Sequence, residues 1–292
     1  MLTDDLIASF SLDAAPVRGR IARVGAHVLD PILRRHAYPR PVALLLGEAV
    51  VLAALVGALL KAEGRLIVQA QGEGPVPLLV AEHAPGGALR GYARLAPGAD
   101  DALAQDNRVP PDALLGAGHM AITLDQGEGK PIVQGVVELA GDTLAACAES
   151  YFRVSEQTET RLKLAVGEAM APGAPAHWRG GGVLMQRIAS DSARGDVEED
   201  WRRAAHLFAT LGDVELIDPD LEADRLLYRL FHEEGARMGD ALPLADLCTC
   251  NEDRLSAVMR QFPAEEVSDL IEPDGFLHAR CQFCAREYRI AP

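Results

Sequence analysis

Short runs of alternating apolar and polar residues dominate the first 190 positions. Val17 to Val24 reads as an early strand, its side chains pointing alternately to two faces. His27 to His36 predicts a helix, Tyr38-Pro39-Arg40-Pro41 interrupts it, and a second, strongly apolar helix runs on to Lys61, with Gly64 as its C-terminal signal. Arg65 to Gln71 predicts a strand that ends in a glycine turn. Val76 to Glu82 and Leu89 to Leu95 flank Pro85-Gly86-Gly87 as a hairpin, and Met120 to Leu124 and Ile132 to Glu138 form a second pair. Thr143 to Ser155 predicts a helix, and Arg161 to Val166 and Val183 to Ile188 two more strands. Hairpins and helices in separate runs predict an α+β domain: a largely antiparallel β-sheet core with packed helices.

The pattern changes after residue 190. Trp201, Ala204, Ala205 and Phe208 form an i, i+3, i+4, i+7 stripe, and Leu226, Leu227, Leu230 and Phe231 form another, closed by Gly235. Between Asp191 and Ala236 thirteen acids face five arginines, a net −8 over 46 residues. Seven large apolar side chains (Trp201, Leu207, Phe208, Leu226, Leu227, Leu230 and Phe231) do not offset the cost of ordering so long a segment. This stretch is expected to be a metastable helical linker, folded only while docked on its neighbours. Further on, Leu255, Val258, Met259 and Phe262 predict an amphipathic helix. Pro263, Glu265 and Glu266 predict the start of a second one, and Phe276 to Arg280 and Arg286 to Ile290 predict two short strands.

Cysteine placement adds chemistry to that last stretch. Four of the five cysteines form Cys248-Thr249-Cys250 and Cys281-Gln282-Phe283-Cys284. Two close pairs supply four soft ligands, and four sulfurs at about 2.3 Å suit a tetrahedral Zn²⁺ with no open position for substrate. Such a site is structural or a switch. A thioredoxin-type redox motif would need a strand before Cys281 and a helix after Cys284, whereas strand-turn-strand is expected here. No signal peptide is recognised, so a reducing, cytoplasmic setting is expected and a constitutive disulfide is not. Cys147 sits among alanines and is expected to be a small buried hydrophobe. The expected boundaries are a core over 1–190, the linker over 191–240 and a zinc-binding module over 241–292.

Charge narrows the partners. The net −15 over 292 residues argues against nucleic acid, because phosphate contacts want a basic face. A zinc-ribbon nucleic-acid-binding regulator nevertheless stays as the alternative reading, and a thiol-disulfide enzyme using Cys281 and Cys284 as a second. Val42 to Leu60 is long enough to span a bilayer, but Glu48 falls near its middle, so a buried core helix is expected and no membrane. Gly72-Glu73-Gly74, Gly127-Glu128-Gly129 and Gly180-Gly181-Gly182 lack the spacing and following helix of a phosphate loop; turns needing positive φ account for all three. No nucleophile elbow, zincin motif or triad is present, and no histidine stands out as a base, so no enzyme is expected.

Several stretches resemble the 33 kDa heat-shock chaperone family, the redox-regulated holdases. These are Cys248, Cys250, Cys281 and Cys284 with their thirty-residue spacer, Gly47-Glu48-Ala49, Gly64-Arg65-Leu66 to Gly74-Pro75, Gln134-Gly135-Val136-Val137, Tyr151 to Gln157 and Gly181-Gly182-Val183-Leu184-Met185-Gln186. Ala285 stands where zinc knuckles often carry glycine. The resemblance implies a cytosolic stress-response chaperone that works without ATP hydrolysis. It implies one zinc on the four thiolates in an inactive, reduced state. Activation by oxidants is implied to form Cys248–Cys250 and Cys281–Cys284 disulfides, to release zinc, to unfold the linker and to yield a dimer that holds unfolded client proteins.

Overall fold

The alternating runs pair into two sheets, and the apolar helix fills the space between them. In the computed structural model, residues 4–59, 64–105, 109–127, 129–170, 173, 175–189, 197–263, 267–268 and 270–291 are described. Contacts divide the chain into two units, Met1–Asp246 and Leu247–Pro292.

In the larger unit β1 (Leu6–Leu12), β2 (Val17–Val24), α1 (Leu29–Arg34) and α2 (Arg40–Gly57) come first. They are followed by β3 (Arg65–Gly72), β4 (Leu78–Ala84), β5 (Ala88–Arg94), α3 (Ala99–Gln105), α4 (Pro111–Leu115), β6 (Gly118–Asp125), β7 (Val133–Glu138) and α5 (Leu144–Val154). Next are β8 (Thr160–Ala169), β9 (His177–Arg187), α6 (Val197–Ala209), α7 (Asp213–Ile217), α8 (Ala223–Phe231), β10 (Ala236–Pro243) and β11 (Ala245–Asp246). One sheet runs β10-β1-β2-β9-β8 and the other β11-β5-β4-β3-β6-β7. Every pairing is antiparallel except β11 on β5. The α+β class with a largely antiparallel core is therefore observed.

The helix α2 packs on strands of both sheets, and 83% of its most apolar window is buried inside the fold. It is a core helix rather than a lipid-facing one. It stops at Gly57, with Ala58 as C-cap, so Gly64 does not cap it; instead Gly64 lies close against the Asp125 carbonyl, and residues 60–63 lie outside the described ones. Glu48 sits partly covered in mid-helix beside a cavity of about 200 Å³ lined by Leu45, Leu164, Val166, Asp213 and Ile217.

Glycine use corrects the sequence reading. Gly127 and Gly129 do take positive φ (+91° and +78°), the residue between them lying outside the described ones. Gly180, Gly181 and Gly182 do not precede a strand; they lie inside β9 with ordinary φ. A Cβ on Gly182 would stand 2.8 Å from Leu55 and Val51, and one on Gly181 2.1 Å from the Leu216 carbonyl oxygen. The strand is covered on both faces, by α2 and by α7, and only glycine admits both so closely. Gly72 and Gly74 likewise lack positive φ and let the chain press against the backbone of α4.

The two striped helices form as α6 and α8, with Trp201, Ala204, Phe208, Leu226, Leu227, Leu230 and Phe231 buried and Leu207 partly so. They cover the outer face of the five-stranded sheet, against Phe10, Ile21, Val183 and Met185. Between residues 210 and 243 the sequence reading lacks two elements, α7 and β10, the latter pairing with β1 and fastening the chain to the sheet after the helices; it lacks β1, α3, α4 and β11 as well. The crowded acids are paired partly by cations of the sheet, Arg187 and Lys163, and partly by the segment's own arginines, Arg202, Arg203 and Arg229. Arg187 pairs with Glu198 (2.8 Å), Lys163 with Asp213 (2.9 Å) and Arg203 with Glu234 (2.6 Å). Two buried arginines of the sheet, Arg23 and Arg179, donate to the carbonyls of Glu215 and Asp218 and of Ile217 at the end of α7, where a cation also complements the helix dipole. Cys147 is buried in α5 at 3% exposure, as a core residue.

Candidate metal centre

The smaller unit holds α9 (Glu252–Met259), β12 (Leu277–Arg280) and β13 (Glu287–Ile290), the strands pairing antiparallel from Leu277↔Ile290 to Arg280↔Glu287. The helix start expected at Glu265 and Glu266 lies outside the described residues. Among the described residues only Leu277, Cys281 and Ile290 are buried apolar side chains. Val258 in α9 and Phe262, which lies beyond its end at Met259, both expected on one inner helical face, are each about half exposed (50% and 51%). Among the described residues of so small a module, no second layer covers that stripe.

Cys281 and Cys284 occupy the turn between β12 and β13, which closes with Cys281 N–H donating to the Arg286 carbonyl (2.9 Å) and Ala285 N–H to the Cys281 carbonyl (2.8 Å). Cys248 and Cys250 lie on the extended chain before α9. The fold brings all four sulfurs within 4.8 Å of one another, with Cys248 Sγ 3.8 Å from Cys281 Sγ and Cys250 Sγ 3.3 Å from Cys284 Sγ. A tetrahedron with metal–sulfur bonds of about 2.3 Å has edges of about 3.8 Å, so the donor set fits a single ion. Among the described residues no disulfide joins any of the five cysteines. The strand-turn-strand setting of Cys281 and Cys284 is not the strand-then-helix of a thioredoxin motif.

The electrostatics of the cluster favour a cation at its centre. Burial resists ionisation of Cys250, but hydrogen bonds from Tyr288 and from the other three thiols outweigh it and bring Cys250 down to about 7. Cys284 is pushed up to about 12, chiefly by burial and by its crowded thiol neighbours. Four thiols this close do not all ionise unless a positive ion shares them. The sequence reading missed Tyr288, whose hydroxyl lies 3.0 Å from Cys250 Sγ and 3.1 Å from Cys250 O. Strand pairing alone carries it there, and its place in the sequence gives no sign of it.

Ala285 follows Cys284 with φ +58°, in the left-handed region that glycine adopts without steric cost. Ala285→Gly is therefore expected to stabilise the turn by up to about 1 kcal/mol, measured as several-fold tighter zinc retention against a chelator.

A family model described as Hsp33 protein matches residues 5–291. A 33 kDa chaperonin of Caulobacter vibrioides (strain NA1000 / CB15N) is 50% identical over 291 residues, covering 99% of this chain and 95% of that protein. The 33 kDa chaperonin of Cronobacter sakazakii is 37% identical over 292 residues, covering 99% and 92%. Among solved structures, the 33 kDa chaperonin (heat shock protein 33 homologue) of Thermotoga maritima superposes with a TM-score of 0.78 at 22% identity, covering 98% of this chain and 95% of that one. With a matched model across nearly its whole length, relatives named chaperonins and the shared fold, the chain belongs to the Hsp33 family.

Proposed function

We propose that this protein is a redox-regulated, ATP-independent holdase that binds unfolding proteins under oxidative stress and has no catalytic activity of its own. It works as an α+β core over about 1–190, a metastable linker to about 240 and a redox-switch module over 241–292. Cys248, Cys250, Cys281 and Cys284 are its zinc ligands. Bound zinc keeps the four sulfurs as thiolates and supplies the folding energy that the module's few buried side chains do not. The observation that carries this reading is the convergence of four sulfurs in a unit with only three buried apolar residues among those described.

Oxidation then acts on the thiolates. Each pair, Cys248 with Cys250 and Cys281 with Cys284, gives two electrons to one peroxide. Its O–O bond breaks, two protons are taken up, and one S–S bond and two waters form. With its donors consumed the module has little to hold it folded. Helices α6 to α8, fastened to the sheet mainly by arginine pairs and two apolar stripes, lift away next. The face of Phe10, Ile21, Val183 and Met185 and the stripes themselves are the apolar surface offered to clients, while the linker's net negative charge keeps a loaded complex in solution. The oxidised form acts as a dimer in the cytoplasm.

The test treats zinc-loaded, reduced protein with peroxide at raised temperature and follows zinc release beside aggregation of a thermally unfolding client. Suppression is expected to rise in step with zinc release, at near-stoichiometric ratios. Equal suppression by the reduced, zinc-loaded protein would sink the proposal.

A further inference from the structure

Tyr288 is a polar side chain beside the four sulfurs to which the metal reading gives no task. It sits in β13 opposite Ala279 of β12, two residues before the buried Ile290 and therefore on the same face of the hairpin. Opposite a residue as small as Ala279, the ring has room to reach towards the chain that carries Cys250. Its hydroxyl lies 3.0 Å from Cys250 Sγ and 3.1 Å from the Cys250 carbonyl oxygen, so both acceptors belong to one residue. The Arg286 guanidinium lies beside the same hydroxyl, at an exposed position.

A hydroxyl has a single proton to give. While Cys250 is a thiol, its S–H can donate to the Tyr288 oxygen and the hydroxyl proton stays on the carbonyl. A zinc-bound sulfur is a thiolate and only accepts, so the proton turns to it and the bond becomes charge-assisted. We propose that Tyr288, by donating to the Cys250 thiolate, sets how readily that sulfur reacts with an oxidant and holds it back at low peroxide. In the first step the thiolate attacks one peroxide oxygen; an S–O bond forms, the O–O bond breaks, and hydroxide leaves to take a proton from solvent. The Cys248 thiolate then attacks Cys250 Sγ; an S–S bond forms, the S–O bond breaks, and the second hydroxide is protonated likewise. The hydrogen bond is strongest before the first step and weakens as charge passes from sulfur to oxygen, so it raises that barrier. Arg286 polarises the phenol and strengthens its hold. This inference rests on the reading of the four sulfurs as zinc ligands and adds the residue that governs one of them.

The experiment uses the full-length, reduced, zinc-loaded parent and Tyr288→Phe, which keeps the ring and removes only the hydroxyl. Zinc content is measured first. Iodoacetamide is then added in limiting amount, and the initial alkylation of each cysteine is read by fragment-ion mass spectrometry, with Cys281 of the same molecule as the standard. Alkylation of Cys250 relative to Cys281 is expected to rise about tenfold in Tyr288→Phe and by a smaller factor in Arg286→Gln. Zinc release by peroxide is expected to quicken in the same order. With cobalt(II) in place of zinc, the thiolate-to-metal charge-transfer band is expected to move to longer wavelength, a change at the donor sulfur that looser packing alone does not produce. Arg286→Gln keeps the comparison available if Tyr288→Phe loses its metal. Equal acceleration at all four cysteines with the band unmoved would overturn the proposal, leaving Tyr288 as a support of the hairpin. Unchanged or slower reaction at Cys250 in the zinc-loaded variants would overturn it too, while the metal reading stands. A parent that takes up no zinc would overturn the metal reading, and this inference with it.

Discussion

Cys281→Ser is expected to abolish zinc binding and to unfold residues 247–292 while the sheets of the larger unit persist. Cys281 is the most buried of the four clustered cysteines and starts the turn that also places Cys284. Serine fits the space, but its hydroxyl does not ionise near neutral pH, so the ion loses one of four anionic donors. Small zinc modules draw roughly 10–16 kcal/mol of apparent folding energy from their metal, and with Leu277 and Ile290 as its other buried apolar residues among those described, this one has little in reserve. Metal analysis, limited proteolysis and amide exchange check the outcome together. Zinc content should fall to background, cleavage should appear within 247–292, and exchange in β2 and β9 should stay slow. Cys147→Ala, deep in α5, should leave zinc content unchanged. A Cys281→Ser protein that kept its metal and a protected C-terminal unit would show that these sulfurs are not what holds it.

Glu48→Gln should stabilise the larger unit at pH 8 by about 2–3 kcal/mol and scarcely at all below pH 4. Burial within α2, with the Asp213 carboxylate adding to it, raises Glu48 from its ordinary 4.5 to about 7. Lys163, the nearby cation, is committed to Asp213. The folded protein therefore keeps a proton on Glu48 that the unfolded chain releases above about 4.5. Stability from this group is full below that pH, declines as pH rises towards 7 and is lost beyond it. The interval corresponds to roughly 3 kcal/mol, trimmed because the carboxyl keeps some contact with solvent. Glutamine has the shape of the neutral acid and cannot ionise. Urea unfolding of parent and variant across pH 4–8 should give curves that diverge steadily between pH 5 and 7 and run parallel above. Parallel curves throughout would mean that Glu48 is already ionised in the fold.

Both expectations combine something legible along the chain with something visible only in three dimensions. The strand runs, the hairpins around Gly86 and Gly127, the helix after Thr143 and the two linker stripes were all readable, because each depends on the local period of apolar residues. So were the four cysteines, because a tetrahedral thiolate site needs two closely spaced pairs whatever lies between them. Where the period breaks, the reading failed. The sheet-buried glycines of β9 looked like a turn because glycine marks both a bend and a close approach. The short helix α7 and the strand β10 carry too little pattern of their own.

The sequence by itself determined the classes of element, the antiparallel character of the sheets and which four cysteines stand in two close pairs, since these follow from residue types a few positions apart. Only the tertiary structure decided that α2 lies between two sheets, that Glu48 shares a cavity wall with Asp213, that Arg23 and Arg179 receive the end of α7, that Tyr288 reaches Cys250 and that β7 pairs only with β6 among the described residues. Each of these joins residues far apart along the chain. Such contacts are set by which faces remain to be covered after the local elements form, and no short window of sequence contains that information.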